Sequence, residues 1–170
     1  PDTDLSKQKY GKYRLCTLDV ETKNIDVVEI FADSDIYSPN YSSKDTAIFF
    51  LSHADGYRNL YEYNLLEDKV YKMTDFVTGI SGITDLAPAY SVSQKTGKFA
   101  YTLYGEDSYH TYFADEQDFL RNPVEKDLSD KRAEVLPPDR KRNLNIVETN
   151  LNRNTSTSDT AFKDKPLFSP

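Results

Sequence analysis

The chain has 170 residues, with 13 tyrosines and 9 phenylalanines but no tryptophan, and its 28 acidic and 21 basic residues leave a net charge of −7. That charge opposes non-specific attachment to nucleic acid phosphates or anionic membrane surfaces, so neither is an expected partner. No run approaches the roughly 20 apolar residues of a membrane helix, so direct membrane insertion is not expected, and a single cysteine, Cys16, excludes an internal disulfide.

Aromatic rings cover pleated, half-buried surfaces well, and tyrosine keeps its hydroxyl at the wet edge; the composition therefore predicts an all-β chain. Residues 1–11 form a polar lead-in without the basic and apolar regions of an export signal, so any such signal is expected to have been removed. Residues 14–19 and 25–30 read as two strands joined by the polar turn Glu21-Thr22-Lys23-Asn24. Cys16 sits in an alternating strand context, which predicts a small packed side chain rather than a nucleophile. A short strand near Tyr41 follows, then strands at 47–52, 59–65 and 69–74, with His53-Ala54-Asp55-Gly56 as the turn between the first two of these. A longer loop spans 78–85, and further strands are expected at 89–92, 98–104 and 109–114, the last two joined by Gly105-Glu106-Asp107. No fourth strand is evident in this last group. From 120 to 170 the chain is charge-dense, with Pro137-Pro138 and a Ser/Thr-rich stretch, and reads as an extended polar tail or linker in which 144–151 keeps some β character.

A repeat underlies these elements. Ser38-Pro39-Asn40-Tyr41-Ser42 returns as Ala87-Pro88-Ala89-Tyr90-Ser91 at a spacing of 49, residues 48–52 return as 99–103 at a spacing of 51, and residues 15–20 fall on 60–65 at a spacing of 45. Repeats of roughly 40–50 residues rich in short strands mark propellers and strand arrays, whose units cannot bury their apolar faces alone. The fold class expected is all-β, a partial β-propeller of about two and a half four-stranded blades followed by an irregular tail. Its parts are a half blade at 13–32, a full blade at 33–77, a third blade at 78–119 and the tail at 120–170. Propellers close with about four to eight blades, so these repeats cannot close a ring, and exposed sheet edges are expected to be covered by another chain or by the tail.

The Ser-Pro turn, the apolar strand ending in Ser52, the Asp55-Gly56 turn, Tyr61 and Thr74 together resemble the WD40-like repeat of TolB-type propellers. In that family the Asp-Gly turn links the second and third strands, an aromatic of the third packs between blades, and a threonine closes the fourth. The third copy departs from this pattern, with Ala87 for the serine, Glu106-Asp107 for Asp-Gly and no closing threonine. More narrowly, Thr78-Gly79-Ile80-Ser81-Gly82-Ile83-Thr84 followed by Ala87-Pro88-Ala89-Tyr90-Ser91-Val92-Ser93 is similar to large bacterial envelope proteins whose TolB-like propeller precedes an outer-membrane barrel.

Motifs for chemistry are weak. Gly79-Ile80-Ser81-Gly82 lacks the spacing of a nucleophile elbow, and the two histidines, His53 and His110, do not occupy equivalent repeat positions, which argues against a shared metal site. The acidic clusters lack EF-hand spacing. Neither a catalytic residue, a metal nor a cofactor is expected. Tyrosine supplies contact area at low entropic cost, and Tyr61 and Tyr112 are expected in the core between blades, while Tyr57, Tyr104 and Tyr109 lie beside turns. The candidate binding residues are His53, Asp55, Tyr57, Arg58, Tyr104, Asp107, Tyr109 and His110, in the two loops that do not recur. The resemblance implies a non-catalytic interaction scaffold of the periplasm or cell envelope. Its expected partner is a protein, either the rest of its own propeller or an outer-membrane component. The alternative is the gating propeller of a serine peptidase similar to prolyl oligopeptidases, with its catalytic domain elsewhere.

Overall fold

In the computed structural model, which describes residues 3–84 and 86–129, the strands form three antiparallel sheets. These residues fall within the first of two units, Pro1–Val135; the second, Leu136–Pro170, lies outside them, as does the stretch 144–151. The first sheet is a ribbon of β1 (Cys16–Leu18) and β2 (Ile25–Val27). The second contains β3 (Ile36–Tyr41), β4 (Ala47–Ser52), β5 (Asn59–Asn64) and β6 (Lys69–Lys72), and the third β7 (Tyr90–Val92), β8 (Phe99–Gly105) and β9 (Ser108–Ala114). A last strand, β10 (Asn122–Val124), joins the second sheet beyond β6. Two 3-10 turns, Leu5–Lys7 and Glu116–Asp118, are the helical elements described.

The sheets stack through two apolar layers. Every residue of β4 is buried because both of its faces are covered. Alternation sends Ile48 and Phe50 toward the residues that flank the ribbon, Leu15, Ile30 and Phe31, with Tyr61 and Val70 beside them, and sends Phe49 and Leu51 toward the third sheet, in a layer with Leu60, Met73, Ile80 and Phe99. A continuous apolar run is what a strand covered on both faces requires. Aromatic edges fix the spacing of the layers: Phe31 meets Tyr61 at 4.9 Å, and Phe99 meets both Phe49 and Phe119 at 4.8 Å, in edge-to-face geometry.

The Ser-Pro anchor of the repeat is a bulge. Pro39 has no N–H to give to the ladder, the β3–β4 register shifts between Tyr37 and Asn40, and Ser38 adopts a positive φ of 50°. The carbonyl released at Ser38 accepts from the side-chain amide of Asn40 at 2.9 Å and from the Tyr90 hydroxyl at 2.7 Å. Tyr90 is the anchor tyrosine of the next copy, so one repeat caps the irregularity of the other. Its own counterpart, Tyr41, is exposed.

Three expectations are corrected. Cys16 is exposed rather than packed: it pairs with Val27 on the face of the ribbon turned away from the second sheet, while its neighbour Leu15 takes the buried place. Tyr112 is 44 % exposed rather than core. It stacks on Tyr101 at 5.7 Å, but β9 is the edge of its sheet, so the outer side of the ring has no strand over it among the described residues.

The third correction concerns the start of the expected tail, residues 120–128. At the repeat spacing of 51, Asn122–Val124 corresponds to positions 71–73, which include the end of β6. The segment has the sequence register of a fourth strand for the third sheet, yet it pairs with β6 of the second, Pro123 opposite Tyr71. Its lead-in explains the choice. Phe119 packs on Phe99, the Leu120 N–H donates to the Met73 carbonyl at 3.0 Å, and Arg121 forms a two-pronged pair with Glu62 at 3.0 and 3.2 Å while lying over the Tyr71 ring. Beyond it the Phe31 N–H donates to the Lys126 carbonyl at 2.6 Å, and Leu128 packs against the first apolar layer. The segment thus straps the third sheet, the second sheet and the β2–β3 connection together.

Candidate functional site

The β4–β5 and β8–β9 hairpins point the same way, because their sheets are successive copies of one unit. Their turns therefore lie at one end of the array, and the eight residues singled out from the sequence belong to these two turns, some facing outward and some inward. The first turn is held from within. Gly56, at φ 88°, donates to the His53 carbonyl at 2.8 Å, and Asp55 accepts from the Tyr57 N–H and from the Asn59 side-chain amide. Asn59 in turn accepts from the Thr74 hydroxyl at 2.9 Å and from the Phe76 N–H at 2.9 Å, and Thr74 accepts from the Leu60 N–H. Asp55 also pairs with Lys72. Burial alone would pull the Lys72 ammonium down, but Asp55 and Asp75 outweigh it and hold its pKa above the ordinary lysine value. Burial, with the Asp55 carboxylate nearby, pushes the Tyr61 hydroxyl well up.

Asp55 thus organises the turn from inside rather than facing outward. Arg58 is also inward, only 7 % exposed, with its guanidinium 4.7 Å from the Tyr37 ring centre, and His53 meets the same ring edge-on at 5.6 Å. Tyr57 is the outward member of this group.

The second turn is tighter. Glu106 and Asp107 both take positive φ, 49° and 61°, as a two-residue hairpin of type I′ demands. Tyr104 and Tyr109 pair across the strands at 5.1 Å and both stay exposed, as do Asp107 and His110. The His110 Nε2 lies 2.9 Å from the Ser108 hydroxyl and 3.1 Å from the Gly105 carbonyl, so the ring braces its own hairpin.

The loop at 78–84 joins the two groups. The Ile80 N–H donates to the Arg58 carbonyl at 2.7 Å, the Ser81 carbonyl accepts from the Thr102 hydroxyl at 2.6 Å, and the Gly82 carbonyl accepts from the Tyr109 hydroxyl at 3.2 Å. Gly79 is required here: it sits at φ 69°, and a Cβ on it would come within 3.1 Å of the Arg58 backbone. The outcome is a continuous surface from Tyr57 across the loop to Tyr104 and Tyr109, with Val77 and Ile83 exposed along it.

Sequence reading missed the inner end of this face. Tyr13, Tyr37, Thr84 and Leu86 line an open pocket of about 370 Å³ beside the His53 and Arg58 contacts. A signal existed: Tyr37 and Leu86 are equivalent at the repeat spacing of 49, each large and each one residue before the Ser-Pro or Ala-Pro anchor. Among the described residues no three histidine, cysteine or carboxylate side chains converge as metal ligands, and no helix is long and apolar enough to cross a membrane.

Stacked antiparallel sheets in repeat order, with aromatic layers between them and turns gathered at one end, define an open array of the propeller kind; no ring closes among the described residues. Among solved structures the chain is similar to TolB from Acinetobacter baumannii, with a TM-score of 0.50 and 17 % identity over 65 % of this chain and 26 % of that one. The likeness shows a TolB-like fold, and the chain spans about a quarter of that protein's length. No family model and no curated protein matches the sequence.

Proposed function

We propose that this chain is a non-catalytic, TolB-like propeller segment that serves as a protein-interaction scaffold of the bacterial periplasm or cell envelope. The observation that carries the reading is the outward aromatic surface formed by Tyr57, Tyr104 and Tyr109 and joined by the 78–84 loop, on a scaffold whose inward polar groups are engaged in holding the turns. Tyrosines held by a rigid framework give contact area without ordering cost. The envelope location rests on the resemblance of the repeat and of the 78–93 stretch to envelope propellers. Its partner is a protein, either the remainder of its own propeller or an outer-membrane component. Nothing in the comparisons favours the gating propeller of a peptidase.

A photo-crosslinking amino acid at Tyr57 or Tyr104, introduced in the native cell, tests this. The two positions are expected to give the same discrete envelope-protein adduct, and the same probe at the exposed Leu66, beside the opposite β5–β6 turn, is expected to give none. Equal adducts at all three positions, or cytoplasmic adducts alone, would refute the reading.

A further inference from the structure

The third sheet ends on β9, a seven-residue strand with no neighbour on its outer side among the described residues. In the second sheet the equivalent edge, that of β5, is filled by β6, with Tyr63 opposite Val70, Glu62 opposite Tyr71 and Tyr61 opposite Lys72. The chain segment that has the register to fill the β9 edge, Asn122–Val124, is instead held on β6 by the Arg121–Glu62 pair and the Lys126 contacts. An open strand edge is a ready template for another strand.

We propose that the outer edge of β9 is a strand-addition site for an extended segment of a partner protein that has an apolar centre and basic ends. The inference rests on the interaction-scaffold reading and names the kind of partner. Three observations select it. The edge is flanked by carboxylates at both ends, Glu106 and Asp107 before the strand and Asp115, Glu116 and Asp118 after it, with Lys98 answering Asp115 at 3.5 Å. On one face, a floor of Ala100, Thr102 and Thr111 stands where the second sheet has Phe49, Leu51 and Leu60 at the repeat spacing of 51. Phe113 rises from that face, 80 % exposed, paired with Ala100 and equivalent to Glu62. An incoming strand running antiparallel to β9 sets one apolar side chain against Phe113 and the next against Tyr112, and its basic ends reach the two acidic flanks.

Strand β6 fits an edge of this kind, so the probe is a synthetic peptide built on residues 69–74 with Lys72→Val and a Val-Lys end added, Lys-Val-Tyr-Val-Met-Thr-Val-Lys, which in the β6 register sets tyrosine against Phe113, valine against Tyr112 and a lysine at each acidic flank. Titrated into the full chain and followed by amide shifts and hydrogen exchange, it is expected to protect β9 amides by at least about tenfold while leaving β4 and β5 unchanged. A peptide with glutamate in place of both lysines is expected to bind at least about tenfold more weakly at low salt. The exposed-site variant Glu106→Lys/Glu116→Lys is expected to invert that preference. Binding that ignores these charges, shifts centred on β2 or β10, or protection in the free chain of the outward β9 amides, those that do not bond to β8, would each overturn the proposal. Crosslinks at Tyr57 and Tyr104 with no peptide effect at β9 would leave the scaffold reading standing and sink strand addition alone.

Discussion

Replacing Phe99 by alanine removes the side chain that ties the third sheet to both of its neighbours in the chain. Phe99 is fully buried in the second apolar layer and meets Phe49 of β4 and Phe119 of the strap edge-on, each at 4.8 Å. Truncating a buried phenylalanine costs about 3–5 kcal/mol through lost transfer energy and the cavity left behind, and each aromatic pair adds about 0.5–1.5 kcal/mol to what is lost. The upper part of that range applies, because Phe49 is held by a strand covered on both faces and cannot collapse into the void. Against a typical stability of about 5–15 kcal/mol, the third sheet should then unfold ahead of the second. Urea titration followed by tyrosine fluorescence and far-ultraviolet circular dichroism is the assay, with Phe113→Ala as control. Phe113 lies on the same sheet but is solvent-facing, so its removal should cost within about 0.5 kcal/mol. A Phe99→Ala cost below about 1 kcal/mol, or equal costs at the two sites, would refute the claim that this layer couples the sheets.

Arg121→Ala is expected to cost about 2–3 kcal/mol, below the usual figure for a broken buried pair because Arg121 is partly exposed, and Glu62→Gln in the same chain should recover part of it; calorimetry of the single and double variants checks this, since Glu62 is only 2 % exposed and cannot be left charged and unpaired. Gly79→Ala should destabilise by about 1–3 kcal/mol through positive φ and the approach to Arg58, whereas Gly97→Ala, at a nearly equal positive φ of 70° but facing only the Ser43 side chain at 3.4 Å, should cost less by the steric part alone; paired thermal melts decide. Hydrogen bonds from Tyr71 to Glu67 and from Lys126 to Asp68 hold those carboxylates below their usual range. Their contribution is therefore full above the unfolded carboxylate range near pH 4 and is lost as the pH falls below it. Protection factors of the strap amides, measured against the intrinsic exchange rate at each pH, should fall on acidification, and Asp68→Asn should abolish part of that response. At the alkaline end, burial followed by the Asp68 contact pushes Tyr63 up to about 12. Folded protein binds that proton more tightly than unfolded, so stability is present below about pH 10 and is lost as the pH rises toward 12. Tyrosinate absorbance should show a step that Tyr63→Phe removes.

Much of the fold was legible because period-two alternation and turn residues act locally. Strand β4 is found at the bounds expected from Ala47-Ile48-Phe49-Phe50-Leu51-Ser52, and the Asp55-Gly56 and Glu106-Asp107 turns lie where their residue types place them. The candidate residues of the second turn, Tyr104 and Tyr109, face outward as their turn-adjacent positions suggested. Direction was not legible for the first turn. Asp55 and Arg58 have the composition of a recognition loop but are drawn inward by Asn59, Lys72 and Tyr37, partners that sit at other points of the chain.

Spacing, alternation and the recurring prolines are local properties of the polypeptide, and they suffice to make this chain a repeat of short strands rich in aromatic residues. Which faces the strands cover depends on packing between distant segments. Tyr61 and Tyr112 are equivalent in the repeat, yet the first is buried and the second half-exposed, because Phe31 of the β2–β3 connection lies over one and no strand flanks the other among the described residues. The same holds for Asn122–Val124, whose register belongs to one sheet and whose hydrogen bonds belong to another. A strand pairs with whichever edge its flanking side chains can reach, and here the Arg121–Glu62 pair and the Phe119 contact place it on β6.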